Sequence, residues 1–101
     1  MPRAGTMLHL VSYDIPSNPA GDRRRARLAR FLEGHGIRVQ MSVFELDLNP
    51  QKLSSICDGI MERINEKEDH VRIYALCGTC AYRNIRLGVQ ATVEYGSLVV
   101  W

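Results

Sequence analysis

Asp14 ends the hydrophobic run Leu8-His9-Leu10-Val11-Ser12-Tyr13, and Arg23-Arg24-Arg25 follows within a dozen residues. A carboxylate at the mouth of a buried strand is costly if it finds no partner. Three arginines at a helix start are also unfavourable, because the dipole there disfavours cations by about 0.3–1 kcal/mol each. Such departures from local preference concentrate at functional sites. A carboxylate that can hold a divalent cation, near guanidinium groups that suit phosphate oxygens, points to chemistry on nucleic acid. Asp14 is thus the candidate catalytic and metal-holding residue, with Mg²⁺ or another divalent cation as cofactor. A strand-end aspartate also caps loop N–H groups for purely structural reasons. Magnesium, however, keeps several waters and needs only one or two carboxylates plus substrate phosphates. A two-fold axis beside Asp14 would supply the second carboxylate.

Arg23, Arg27 and Arg30 recur at i, i+4 and i+7 and share one helix face, opposite Leu28, Phe31, Leu32 and His35. Any amphipathic helix carries charge on its solvent side. Here the stripe is arginine, with only Glu33 as counter-ion along the body of the helix. Residues 22–38 carry a net charge of +4, whereas residues 51–69 carry −2, although the whole chain is only +2. One basic helix and one acidic helix favour phosphate contact by the first. Arg23, Arg24, Arg27 and Arg30 are the candidate nucleic-acid contacts.

Other reactive residues fit quieter roles. Cys77-Gly78-Thr79-Cys80 has metal-pair spacing, but a structural zinc site needs four ligands and Cys57 falls on the core face of a helix. His9 alternates inside a strand as a packed residue, His35 ends a helix where its charge is welcome, and His70 falls in a loop. Tyr13 faces the side of its strand opposite to Asp14.

Positioning these residues requires the following elements. Met7–Asp14 reads as a strand and 15–21 as a turn-rich loop, with Asp22 capping a helix to about His35. Ile37–Leu48 is strand-like, with an apolar parity that changes near Gln40–Ser42, as in two short strands or one bulged one. Asn49-Pro50 opens a helix, in which Leu53, Ile56, Cys57, Ile60, Met61 and Ile64 fall on one face. Val71–Cys77 is a strand, and Ile85–Val93 alternates as a strand buried on one face. The order is β-α-β-β-α-β with a C-terminal β extension, the α+β, ferredoxin-like plan. Residues 7–101 form a single domain after a loose tail at 1–6, and Met7 is an alternative start. Residues 85–101 extend the sheet beyond what so small a domain covers, so they are expected to pair across a homodimer interface.

At 101 residues, with 46% hydrophobic and 24% charged residues, the composition is that of a soluble globular domain. No apolar run approaches the roughly 18 residues of a membrane span, and the tail lacks a signal-peptide core. Three cysteines, an odd number, fit a reducing cytoplasm.

Three features together resemble a known family: Tyr13-Asp14-Ile15 ending the first strand, an arginine-rich first helix, and Arg38-Val39-Gln40-Met41-Ser42-Val43-Phe44-Glu45. Val71-Arg72-Ile73-Tyr74 adds to the likeness, which spans about residues 7–89. The sequence is similar to the second of the two universal CRISPR-associated adaptation proteins. The resemblance implies a ferredoxin-like homodimer that holds new spacer DNA between dimers of the CRISPR integrase subunit. It also implies divalent-metal-dependent endonuclease activity on RNA or DNA. By position, Asp14 matches the family's metal aspartate, Tyr13, Ser42 and Phe44 match residues lining the dimer cleft, and the helix arginines match nucleic-acid contacts.

The competing expectations are a non-catalytic scaffold for the integrase and a small-molecule-sensing regulatory domain on the same fold. The second would favour a glycine-lined ligand loop over an arginine stripe. An RNA-recognition motif shares the strand order but needs an aromatic signature that this chain lacks.

Overall fold

The computed structural model describes residues 5–76 and 84–88. The chain runs β1 (Met7–Asp14), α1 (Pro19–Glu33), β2 (Ile37–Gln40), β3 (Val43–Leu48), α2 (Pro50–Arg63), β4 (His70–Leu76) and β5 (Asn84–Gly88). Both helices open on an Asn-Pro step. The Asn49 side chain accepts the Lys52 N–H at 2.7 Å, and the Asn18 side chain accepts the Gly21 N–H at 2.8 Å. Proline in the first turn gives up an N–H that the helix would leave unpaired. The cap of α1 is therefore Asn18, a full turn before the expected Asp22. Arg23, Arg24 and Arg25 consequently fall beyond the unpaired first-turn N–H groups, where the dipole penalty fades. Asp22 lies in the first turn, where a carboxylate is favoured. Gly21 is required, because a Cβ there would overlap the Pro16 carbonyl.

The strands form one antiparallel sheet in the order β2-β3-β1-β4-β5. Together with two helices on one face, this is the ferredoxin-like α+β fold. Val11 and Tyr13 of β1, Phe44, Leu46 and Leu48 of β3, and Val71 and Ile73 of β4 meet Leu28 and Leu32 of α1 and Ile56 and Ile60 of α2 in one core. Each large apolar side chain so buried contributes about 1.5–3 kcal/mol. Because strand side chains alternate, Leu8, Leu10, Ser12 and Asp14 turn to the helix-free face of the sheet. His70 and Arg72 of β4 lie opposite Asp14 and Ser12 on that face. His9 is buried, its Nδ1 2.8 Å from the Met7 carbonyl oxygen.

The two helices approach closely at Gly59, whose missing side chain admits the Phe31 ring. The Arg63 guanidinium lies 4.2 Å above that ring, and His35 meets it edge-on at 4.9 Å. Cys57 is half-buried on α2 as expected; burial, with the nearby Asp58 charge, raises its thiol pKa.

A buried ion pair joins α1 to the start of β4. Asp69 is fully buried and accepts Arg24 Nε at 2.7 Å, Arg24 Nη2 at 2.9 Å and the Asn65 N–H at 2.7 Å. Burial pushes the Asp69 carboxyl up. The Arg24 and Asn65 hydrogen bonds and the Arg24 and Arg25 charges outweigh it, holding the group below the usual carboxylate range.

The turn between β2 and β3 lies where the parity change placed it, with a register shift between Arg38 and Gln40. One expectation is corrected: His70 opens β4 instead of sitting in a loop. Residues 84–88, part of the 85–101 stretch expected to pair across a homodimer interface, pair on one edge with β4 of the same chain, Ile85 opposite Ile73 and Leu87 opposite Val71, and form the edge of the described sheet. β4 offers a free row of N–H and C=O groups close by in sequence, so loop closure to it costs little. The expected continuation to Val93 and Leu98–Trp101, and the Cys77–Cys80 pair, lie outside the described residues. No described helix is long and apolar enough to cross a membrane.

Two outcomes follow for stability. Gly59→Val drives a branched side chain into Phe31 and should cost about 1–3 kcal/mol by urea denaturation, the range for overpacking. The lowered Asp69 pKa stabilises the fold above its unfolded value, about 3.9, and that contribution is lost as pH falls through the folded value. Asp69→Asn should therefore be less stable than wild type at pH 7, with the gap narrowing towards pH 3 in thermal melts. A constant gap would remove Asp69 from acid unfolding.

Candidate metal and nucleic-acid sites

At the end of β1, Ser12, Tyr13 and Asp14 line a shallow pocket of about 230 Å³ with His70 and Arg72 of β4. The antiparallel register sets Asp14 opposite His70 and Ser12 opposite Arg72. Asp14 is exposed and its oxygens are hard donors, which suits magnesium. His70 Nε2 is buried with no hydrogen-bond partner among the described residues. The Arg72 guanidinium type suits a phosphate oxygen beside the carboxylate. No group of three or more His, Cys, Asp or Glu residues able to hold a metal occurs among the described residues. Asp14 therefore fits a cation only as one ligand, the remainder coming from water, from phosphate or from a second copy of the chain.

From sequence alone, Ser12 and Arg72 carry no site role and His70 falls in a loop. Their signal is parity: His70-x-Arg72 and Ser12-x-Asp14 each place two polar side chains on one face. Recognising that they meet requires the β1–β4 register, which no single segment contains.

Tyr13, Ser42 and Phe44 gather at the same end of the sheet in different surroundings. Tyr13 is buried, with its N–H donating to the Ser42 carbonyl at 3.2 Å and its hydroxyl 3.4 Å from the Met41 carbonyl. Ser42 is half-buried in the turn. Phe44 has no exposed surface; it stacks on Tyr13 at 6.3 Å and lies 5.4 Å from the Arg38 guanidinium. Of the three, only Tyr13 lines the pocket in the protomer. β3 parity sends Phe44 inward with Leu46 and Leu48.

The α1 arginines divide by helix face. Arg23, Arg27 and Arg30 are exposed and have no ion-pair partner among the described residues. Arg24 does not belong with them. Its guanidinium is held by Asp69 and by Glu68 at 3.2 Å, so its charge is matched within the fold. That partner lies 45 residues away, beyond the reach of a helical wheel. Arg25 donates to Asp22 and to the Ile15 and Pro16 carbonyls.

The exposed arginines and Asp14 do not form one site in the protomer. α1 covers the sheet face that holds Tyr13 and Phe44, whereas Asp14 turns to the other face. A single residue's step along β1 puts the sheet between them.

Comparison with known proteins gives the chain a family and supports its fold. The family profile described as CRISPR associated protein Cas2 matches residues 7–84. A Synechocystis sp. protein named CRISPR-associated endoribonuclease Cas2 1 is 35% identical over 94 residues, covering 93% of this chain and all of that relative. A Thermus thermophilus protein named CRISPR-associated endoribonuclease Cas2 is 37% identical, covering 78% of this chain and 80% of its own length. The crystal structure of Streptococcus pyogenes Cas2 at pH 6.5 superposes with a TM-score of 0.67 at 37% identity, covering 73% of this chain and 89% of that one. With that profile matched over residues 7–84 and relatives at 35–37% identity over most of their length, the chain belongs to the CRISPR associated protein Cas2 family.

Proposed function

We propose that this protein binds nucleic acid as a homodimer in CRISPR adaptation and hydrolyses a phosphodiester at Asp14 with Mg²⁺ or another divalent cation. The observation that carries this reading is the exposed Asp14 carboxylate in a polar pocket with His70 and Arg72. The relatives' endoribonuclease names support the reaction class. When bound, the cation would supply a hydroxide nucleophile and neutralise charge on the scissile phosphate. Asp14 would hold it through one carboxylate, and Arg72 would orient a non-bridging phosphate oxygen. Leu8, Leu10 and Val43 lie partly exposed on the helix-free face, and β2 adds the exposed Ile37 and Val39. This apolar surface supports pairing with a second copy, which would bring a second Asp14 to the axis.

A second reading, a non-catalytic scaffold for the CRISPR integrase subunit, draws on a separate observation. Arg23, Arg27 and Arg30 lie on the face away from Asp14, so binding needs nothing from the carboxylate.

Two measurements separate these readings. Asp14→Asn should reduce Mg²⁺-dependent cleavage of RNA or DNA by roughly two orders of magnitude or more, the scale on which charge-stabilising groups act. Duplex affinity should stay within about threefold, less than one charge-assisted contact contributes. Equal cleavage by both proteins would make Asp14 structural, and binding without cleavage by either would favour the scaffold. Charge reversal of Arg23, Arg27 and Arg30 together should lower the slope of log K against log salt in duplex binding by about three. An unchanged slope would assign the stripe to solubility.

A further inference from the structure

Between α1 and β2 lies an open groove of about 370 Å³, lined by Asp22, Arg25, Ala26, Arg30, Glu33 and Arg38. Its three guanidinium groups differ in how they are held. Arg38 is fixed by the Met41 carbonyl, which accepts Nε at 3.0 Å and Nη2 at 2.8 Å, while Nη1 reaches Glu33 at 3.4 Å. Arg25 is fixed by the Ile15 carbonyl at 2.8 Å and by Asp22 at 2.8 Å. A guanidinium carries more N–H donors than these contacts consume, so both retain donors in a pre-organised orientation. Arg30 has no ion-pair partner among the described residues. The two carboxylates on the rim are matched by Arg25 and Arg38. One cation of the groove is left uncompensated.

We propose that this groove seats a backbone phosphodiester of nucleic acid, with Arg30 as the anion's charge partner and Arg25 and Arg38 as fixed flanking donors. The inference rests on the nucleic-acid-binding reading above and deepens it by separating a built seat from a diffuse basic stripe. A phosphodiester carries the single negative charge that Arg30 leaves unmatched, and arginine forks suit its paired oxygens. Fixed donors lose less freedom on binding than a free arginine does. The seat lies on the helix-bearing side of the sheet, so the phosphate held there is not the one that Asp14 would face. Nucleic acid positioned by this groove is held apart from the candidate reaction pocket.

The test uses the full chain and a labelled DNA duplex, followed by fluorescence anisotropy across a salt series. Ala26→Glu puts a carboxylate into the groove while leaving every arginine in place, and Ser54→Glu makes the same charge change on the exposed face of α2. The seat predicts that Ala26→Glu weakens binding about tenfold or more, the scale of one lost charge-assisted contact. It also predicts a salt slope lower by about one, with Ser54→Glu staying within about threefold, as expected for a screened charge. Arg30→Gln against Arg23→Gln gives a second pair with equal charge loss, and the seat requires the larger loss at position 30. If both members of each pair weaken binding equally, the seat is overturned while nucleic-acid binding stands. If the groove variants keep full duplex affinity but lose binding to an acidic peptide probe, the groove serves protein carboxylates and the proposal fails. If wild type does not bind duplex at all, the underlying reading fails and the seat with it.

Discussion

A carboxylate with no exposed surface sits at the entrance to β4, and Arg24 is what makes that possible. Removing a charge from water is expensive unless it is paired and hydrogen-bonded. Asp69 meets both conditions, with two bonds from one guanidinium and a third from the Asn65 N–H. The pair links the second turn of α1 to the segment that leaves α2, so it locates the first residue of β4. That residue is His70, and its antiparallel partner is Asp14. The surroundings of the candidate metal residue thus depend on an interaction that lies outside its pocket and faces the other layer of the protein.

The sheet also divides the molecule chemically. Its helix-bearing side is closed by Tyr13, Phe44 and the two helices, and α1 carries the exposed arginines outward from there. Its open side carries Asp14, His70 and Arg72 among partly exposed apolar residues. A protein that binds a long polyanion can use both surfaces, since phosphate contacts position the partner without carrying sequence information. On the proposed reading, binding through α1 and chemistry at Asp14 would place separate demands on the chain. A change in one surface need not alter the other.

Much of the fold is legible in the order of residues. The alternation through β1, the apolar face of α2 and the Asn49-Pro50 start each follow from local stereochemistry. The parity change near Gln40–Ser42 likewise locates the turn. The same Asn-Pro step at Asn18-Pro19 was masked by the turn residues around it and by Asp22, an equally good cap one turn later. Asp14 stands out because a strand end with a carboxylate is locally anomalous. Arg24 looks like its neighbours Arg23 and Arg27, and only a partner 45 residues away separates it from them.

By itself, the sequence determined the kind of each element, the face that each buries and the presence of a carboxylate where β1 ends. Periodicity and capping act over a few residues, so they are recorded within each segment. Tertiary structure decided which polar residues meet. His70 and Arg72 join Asp14 through the β1–β4 register, Arg24, a candidate nucleic-acid contact by sequence, turns to Asp69, and Phe44 turns into the core. It also decided that the arginines and Asp14 lie on opposite sides of the sheet. These outcomes depend on which strands pair and in what register, and that choice belongs to the energy of the packed whole, because every element can bury its apolar face only against the others.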